Sequence, residues 1–178
     1  MTPLEANLAE RARRLTWLLF DVDGVMNDGL LVYSGDGEEL KRFHVRDGLG
    51  IKMAQRHGLK VGILSGRQSP ALRRRAGELA IDHLIMNRSD KGPAFDEFLE
   101  ATGATPDRVG YVGDDLQDLA VLLRCGLSFA PADAEPEVRS RVHRVLERAG
   151  GRGAAREVVQ LVLEARGDWQ RAVERFLP

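Results

Sequence analysis

The stretch LLFDVDGVMNDG, residues 18–29, decides how the chain is read. An apolar run from Leu15 to Phe20 suits a strand buried on both faces. It delivers two acids one residue apart, Asp21 and Asp23, with Gly24 directly after. Ionised carboxylates are costly to desolvate without a partner, so at the mouth of a buried strand they either point into water or await something positive. Working outward, similar apolar runs stand at Lys60–Leu64, His83–Met86, Arg108–Val112 and Leu127–Ala130. Helical patterns lie between them at Leu49–His57, Pro70–Leu79, Gly92–Ala101 and Leu116–Leu123, with Gly58, Gly103 and Gly126 at the positions of C-terminal caps. This alternation predicts an α/β fold, a doubly wound, Rossmann-like parallel sheet forming one domain over residues 1–178. Two segments interrupt it. Residues 30–44, LLVYSGDGEELKRFH, read as a β-hairpin around Ser-Gly-Asp-Gly, an insertion over about 29–44. After Pro136 the chain is mostly helical, its tail over about 153–178 holding Ala154–Ala165 and Asp168–Phe176 joined at Gly167.

Composition excludes several classes. With 26 basic and 27 acidic side chains the net charge is −1, so no global field draws the protein to nucleic acid or to an anionic membrane. The basic run LRRRAGE, Leu72–Glu78, reads as a solvated helix face. Cys125 is the sole cysteine, which excludes a disulfide framework or a thiolate metal cage within one chain. No apolar stretch approaches the roughly 20 residues of a membrane span, and MTPLEANLAERARRL, residues 1–15, lacks the apolar centre of a signal peptide. A soluble, cytoplasmic protein is the expectation.

In an open parallel sheet, ligands bind beyond the carboxyl ends of the strands, so the polar residues there are the informative ones. The first strand ends in Asp21 and Asp23, and the second in Ser65, Gly66 and Arg67. Lys91 follows the third, and Asp114, Asp115 and Asp118 follow the fourth. Phosphoryl transfer needs such a set. A carboxylate can attack phosphorus and form an aspartyl-phosphate, dividing one displacement into two. Magnesium, a hard cation that prefers oxygen ligands, would offset the repulsion between the anions. A second acid can protonate the leaving oxygen and later deprotonate water. A hydroxyl, backbone amides and an ammonium can hold the phosphoryl oxygens.

At these residues the sequence resembles the haloacid dehalogenase superfamily of aspartate-nucleophile phosphatases. DVDGV resembles its first motif, LSG its second, Lys91 its third and GDDLQD its fourth. The resemblance implies Asp21 as nucleophile and metal ligand, and Asp23 as acid–base with its backbone carbonyl on the metal. It implies Ser65 and Lys91 as phosphoryl ligands and Asp114 as the further carboxylate on Mg2+. Asp115 and Asp118 suit supporting or helix-capping roles. The intervals from Asp23 to Ser65 and from Ser65 to Lys91 leave no room for the lid domains that many members insert, which points to the lidless subgroup. Phosphoryl transfer gains from shielding against water, and a lone hairpin is marginal. The expectation is therefore a homo-oligomer in which a neighbouring subunit covers each site.

Within that subgroup, GEELKRFHVRDGLGI, ADAEP and GGRGAAREV extend the likeness over roughly residues 15–165. The branch they resemble consists of typically tetrameric enzymes that dephosphorylate an eight-carbon sugar-acid 8-phosphate on the way to lipopolysaccharide. That implies substrate contacts from Asp23, His44, Val45, Arg46, Asp47, Gly48, Arg67, Arg75 and Lys91. A sugar acid carries a carboxylate, which Arg grips in a bidentate fork. The segment around Arg152 is implied to lie near a subunit interface, with the C-terminal tail reaching a neighbour's site. The chain departs from the branch at Ser65 (often Thr), at Met86 and Asn87 (often Gly-Gln), at Leu119 and Ala120 (often Trp-Pro), and in its helical terminus DWQRAVERFLP.

Each residue alone has a blander reading. Asp-x-Asp-Gly after a strand can be an Asx turn, Ser65 a helix N-cap, Lys91 a surface lysine, and Arg67 half of a structural ion pair. Four strand ends in series favour the enzyme. A signalling receiver domain also combines acids, a hydroxyl and a lysine, but it needs a phospho-accepting Asp on a later strand, where this chain has Ser65 after Leu64. A non-catalytic phosphatase-like domain would lack Asp21 or Asp23. Nine-carbon acid 9-phosphates differ far from phosphorus and stay open as substrates.

Overall fold

The computed structural model describes residues 3–178. Met1 and Thr2, which open the stretch read as lacking a signal-peptide centre, lie outside them. Strand β1 (Trp17–Phe20) is followed by an antiparallel hairpin, β2 (Val32–Tyr33) and β3 (Glu39–Leu40). Five more strands follow: β4 (Lys60–Leu64), β5 (His83–Ile85), β6 (Val109–Val112), β7 (Leu127–Ala130) and β8 (Arg144–Val145). With β1 they form one parallel sheet in the order β5-β4-β1-β6-β7-β8. The chain leaves β1 toward β4 on one side and later returns to β6 on the other. The carboxyl end of β1 is thus the switch point where such sheets open a crevice.

Among the described residues eight helices cover the sheet: α1 (Pro3–Arg14), α2 (Val45–Arg56), α3 (Pro70–Glu78), α4 (Lys91–Thr102), α5 (Leu119–Leu122), α6 (Pro136–Arg139), α7 (Ala154–Arg166) and α8 (Trp169–Glu174). All four residues of β1 are buried, and they alternate between two cores. Leu18 and Phe20 join Ile51 and Met53 of α2 and Val158 and Val162 of α7. Trp17 and Leu19 join Phe95 and Phe98 of α4 and Val121 of α5. A strand covered on both faces must be apolar at every position, which is why the run before Asp21 has no polar break. Among the described residues no helix is long and apolar enough to cross a membrane.

Three sequence expectations need correction. Helix α2 begins at Val45, four residues before the expected Leu49, so HVRDG forms the N-cap and first turn rather than a loop. The reason is packing. Glycine is a poor helix former, yet a Cβ at Gly48 would lie 2.3 Å from Arg75 Nη2, and one at Gly50 would lie 3.1 Å from Arg156 Cα. Those glycines serve close approach within a helix. Gly126 is not a left-handed cap either; its Cβ would lie 2.2 Å from the Asp107 carbonyl oxygen. Finally, Leu116–Leu123 is a 3-10 turn (Leu116–Asp118) running into the short α5.

Candidate active site

The ends of β1 and β6 lie side by side, with the Asp21 N–H donating to the Val112 carbonyl at 2.9 Å. Carboxylate oxygens of Asp21, Asp114 and Asp118 come within 4.8 Å of one another. Lys91, the first residue of α4, is buried among them. Its Nζ lies 2.8 Å from Asp21 Oδ1 and 2.5 Å from Asp118 Oδ1. A cation at a helix N-terminus opposes the helix dipole, so the two carboxylates must hold it there. Burial works to lower the Lys91 pKa, but Asp21 and Asp118 outweigh it and raise it.

Asp118 is fully saturated. Its Oδ1 also accepts from Tyr111 OH at 2.6 Å, and its Oδ2 accepts from the Asp114 and Asp115 N–H groups at 3.0 and 3.1 Å. With Asp115, whose Oδ1 accepts from Leu116 N–H at 2.7 Å, it completes a capping box on the 3-10 turn. Both acids therefore cap this turn, and Asp118 also holds Lys91.

Asp114 is not saturated. Burial pushes the Asp21 pKa up to about 7, moderated by Lys91; burial also pushes Asp114 up to about 8, reinforced by the charges of Asp21 and Asp118. One lysine does not neutralise three carboxylates, and Asp114 Oδ1 is buried with no hydrogen-bond partner. A pair of hard, under-compensated carboxylate oxygens at the switch point fits a divalent cation. The loop beneath is tightly built. Gly24, at φ +85°, would place a Cβ 2.0 Å from Asp114 Oδ2, and a Cβ at Gly150 would lie 1.9 Å from the Gly24 carbonyl oxygen. The Gly151 N–H donates to the Val25 carbonyl at 2.9 Å. GGRG thus backs the Asp21–Asn27 loop of its own chain.

Asp23 faces the hairpin. Its Oδ1 accepts from Asn27 Nδ2 at 2.6 Å and from Lys41 Nζ at 2.5 Å. Lys41 Nζ is also 3.1 Å from Glu39 Oε1, and Glu39 Oε2 is 2.6 Å from Arg67 Nη2. Ser65, almost fully buried at the end of β4, donates from Oγ to the Arg67 carbonyl at 3.2 Å. Arg75 packs on Gly48, with Nη1 3.2 Å from Glu78 Oε2. His44 caps α2, its Nδ1 accepting from Arg46 N–H at 3.1 Å, while Val45 and Arg46 are exposed. Asp47 is buried; its Oδ1 accepts from Arg156 N–H at the start of α7 at 2.8 Å, and its Oδ2 has no partner. Burial raises the Asp47 pKa.

The structure therefore brings Asp21, Lys91 and Asp114 into one cluster, and links Asp23 to Arg67 through the hairpin. It places Asp47 against α7. Lys41, Asn27 and Tyr111 escaped the sequence reading. Lys41 directly follows the two-residue strand β3, where nothing local tells which way a lone lysine turns. Tyr111 sits in a strand that reads simply as apolar.

A parallel sheet with an acid pair, a buried lysine and further acids at its switch point defines a class of hydrolase. The chain belongs to the haloacid dehalogenase-like hydrolases, whose family model matches residues 83–157. More particularly, it is 44% identical over 170 residues to the 3-deoxy-D-manno-octulosonate 8-phosphate phosphatase of Escherichia coli K12, covering 96% of this chain and 90% of the relative. A crystal structure of the same enzyme from Yersinia pestis aligns with a TM-score of 0.90 at 43% identity, over 92% of this chain and 89% of that one. That of Moraxella catarrhalis, in complex with magnesium ion, phosphate ion and KDO, aligns with a TM-score of 0.92 at 32% identity, over 95% and 97%.

Proposed function

We propose that the protein is a magnesium-dependent phosphatase that releases phosphate from 3-deoxy-D-manno-octulosonate 8-phosphate through an aspartyl-phosphate. The observation that carries the reading is Asp21 held by Lys91 beside Asp114, whose buried Oδ1 lacks a partner. The relatives' substrate and the magnesium, phosphate and sugar acid of the Moraxella complex support it. Magnesium would be held by the Asp21 and Asp114 carboxylates and the Asp23 backbone carbonyl. When bound, it supplies the charge neutralisation that lets one anion approach another.

Each residue then has a task. Lys91 fixes the Asp21 carboxylate, which attacks phosphorus as the bond to the sugar oxygen breaks. Asp23 gives that oxygen a proton. In the second half, Asp23 takes a proton from water as the water attacks phosphorus, and Asp21 is released. Ser65 and Lys91 hold phosphoryl oxygens. Arg67, Arg75 and the turn from His44 to Gly48 line the approach to the sugar acid. The exposed apolar side chains of the hairpin, Leu30, Leu31, Val32, Tyr33 and Leu40, suit burial against other subunits of a homotetramer. The setting is the cytoplasm, in lipopolysaccharide synthesis.

A phosphate-release screen over sugar-acid phosphates with magnesium tests the substrate. The octulosonate 8-phosphate is expected to give the highest kcat/KM, above nine-carbon acid 9-phosphates and above aryl phosphates. Turnover of the octulosonate ester no faster than an aryl phosphate would overturn the assignment. The metal site has its own test in Gly24→Ala. The added methyl collides with Asp114 Oδ2 and strains a left-handed backbone. Calorimetric titration with magnesium should show affinity weakened by at least about tenfold, the scale of displacing a ligand's support. Unchanged affinity would remove Asp114 from the metal.

A further inference from the structure

Lys41 has no assigned role, yet its environment is too specific for a surface lysine. Its side chain is 3% exposed, although it stands on a two-stranded hairpin whose apolar residues are largely in solvent. Burying a long cationic side chain forfeits rotamer freedom and hydration, so its partners must offset both. They are Asp23 Oδ1 at 2.5 Å and Glu39 Oε1 at 3.1 Å.

The second donor to Asp23 is equally constrained. Asn27 is buried, and its Oδ1 accepts from the Gly29 N–H at 2.8 Å and the Gly24 N–H at 3.3 Å. That fixes the amide so that Nδ2 faces Asp23. Lys41 and Asn27 thus converge on one oxygen of the carboxylate. Among the described residues no hydrogen bond falls on the other, Oδ2. Glu39 extends the chain outward through its second oxygen to Arg67 Nη2 at 2.6 Å.

We propose that Lys41 is a positioning residue for the acid–base carboxylate: it anchors Asp23 Oδ1 so that Oδ2 faces the leaving oxygen, and Glu39 holds Lys41 and ties this anchor to Arg67. The inference rests on the acid–base role of Asp23 in the proposed function. It makes the hairpin part of the reacting assembly as well as a surface for other subunits. Proton transfer demands geometry held to a fraction of an ångström, and a carboxylate bonded at one oxygen keeps that geometry while leaving its other oxygen free.

The test is leaving-group dependence, which a merely structural role would not move. Release of the leaving group in a single turnover is measured over a series of aryl phosphates whose phenols span a wide range of acidity. Protonation matters most for the least acidic phenol and hardly at all for 4-nitrophenol. In Lys41→Met the slope of log rate against leaving-group pKa should steepen. Phenyl phosphate should slow by about tenfold or more, within the reach of general acid catalysis, with 4-nitrophenyl phosphate within about threefold of wild type. Lys41→Arg should restore part of the loss. An equal loss across the series, or none, would overturn the proposal. Should Lys41→Met fail to fold, Glu39→Gln leaves both Lys41 and Asp23 in place and should steepen the slope in the same sense. A uniform loss there overturns the proposal too. Because aryl phosphates carry the test, failure of the octulosonate ester in the substrate screen would count against the substrate alone.

Discussion

Asp21→Asn loses turnover by a factor on the order of 10⁴ or more, the scale of removing a nucleophile, while the metal-free variant becomes more stable than wild type at pH 8. Both effects have one cause. Asp21 is buried beside Asp114 and Asp118 with a single shared lysine, and burial raises its pKa to about 7. The unfolded chain ionises this group near about pH 4. Stability is therefore lost as pH climbs from the unfolded pKa to the folded one, and the whole penalty is present above that window. Asparagine keeps the shape and carries no penalty. Thermal unfolding in EDTA should show Tm raised by at least about 2 °C at pH 8, where a kcal/mol corresponds to about 2–4 °C for a chain of this size. The gain should shrink at pH 5. Full activity would remove the nucleophile, and a lower Tm at pH 8 would remove the account of the cluster.

Lys91→Met has the opposite effect on stability. The variant leaves the Asp21 and Asp118 carboxylates buried without their shared cation. Removing one partner of a buried ionic cluster costs about 3–5 kcal/mol, or roughly 6–20 °C in Tm. The deficit should be largest at pH 8 and smaller at pH 5. Lys91 moderates the rise in the Asp21 pKa, so without it Asp21 holds its proton to higher pH and is neutral in mildly acidic solution. Activity should fall by about 10²–10³-fold through loss of a phosphoryl ligand. Thermal unfolding across pH with parallel phosphate-release assays checks both; a loss of activity with unchanged Tm would place Lys91 outside the ionic cluster.

The parts of this site that could be read from the sequence are those tied to strand ends. Asp21, Ser65, Lys91 and Asp114 each follow a short apolar run, and topology alone carries such positions to one edge of a parallel sheet. Asp118 is legible as a supporting or capping acid, but its grip on Lys91 depends on how α4 docks. The sequence starts α2 at Leu49 because Gly48 looks like a helix breaker until Arg75 is seen packing where its side chain would be. The chain from Arg67 through Glu39 and Lys41 to Asp23 was invisible for a similar reason. Hairpin strands of two residues fix no inward face, and only docking onto the sheet decides which charges meet. Arg67 was expected to meet a carboxylate, and here it meets one from its own chain.

Covalent catalysis by Asp21 is the claim on which the functional account rests, and the stereochemical course at phosphorus tests it most directly. A chiral, oxygen-18-labelled thiophosphate ester would be hydrolysed in oxygen-17 water and the configuration of the inorganic thiophosphate determined. Two in-line displacements, first by Asp21 and then by water, predict overall retention. Inversion would mean that water attacks the ester directly, and would contradict the account.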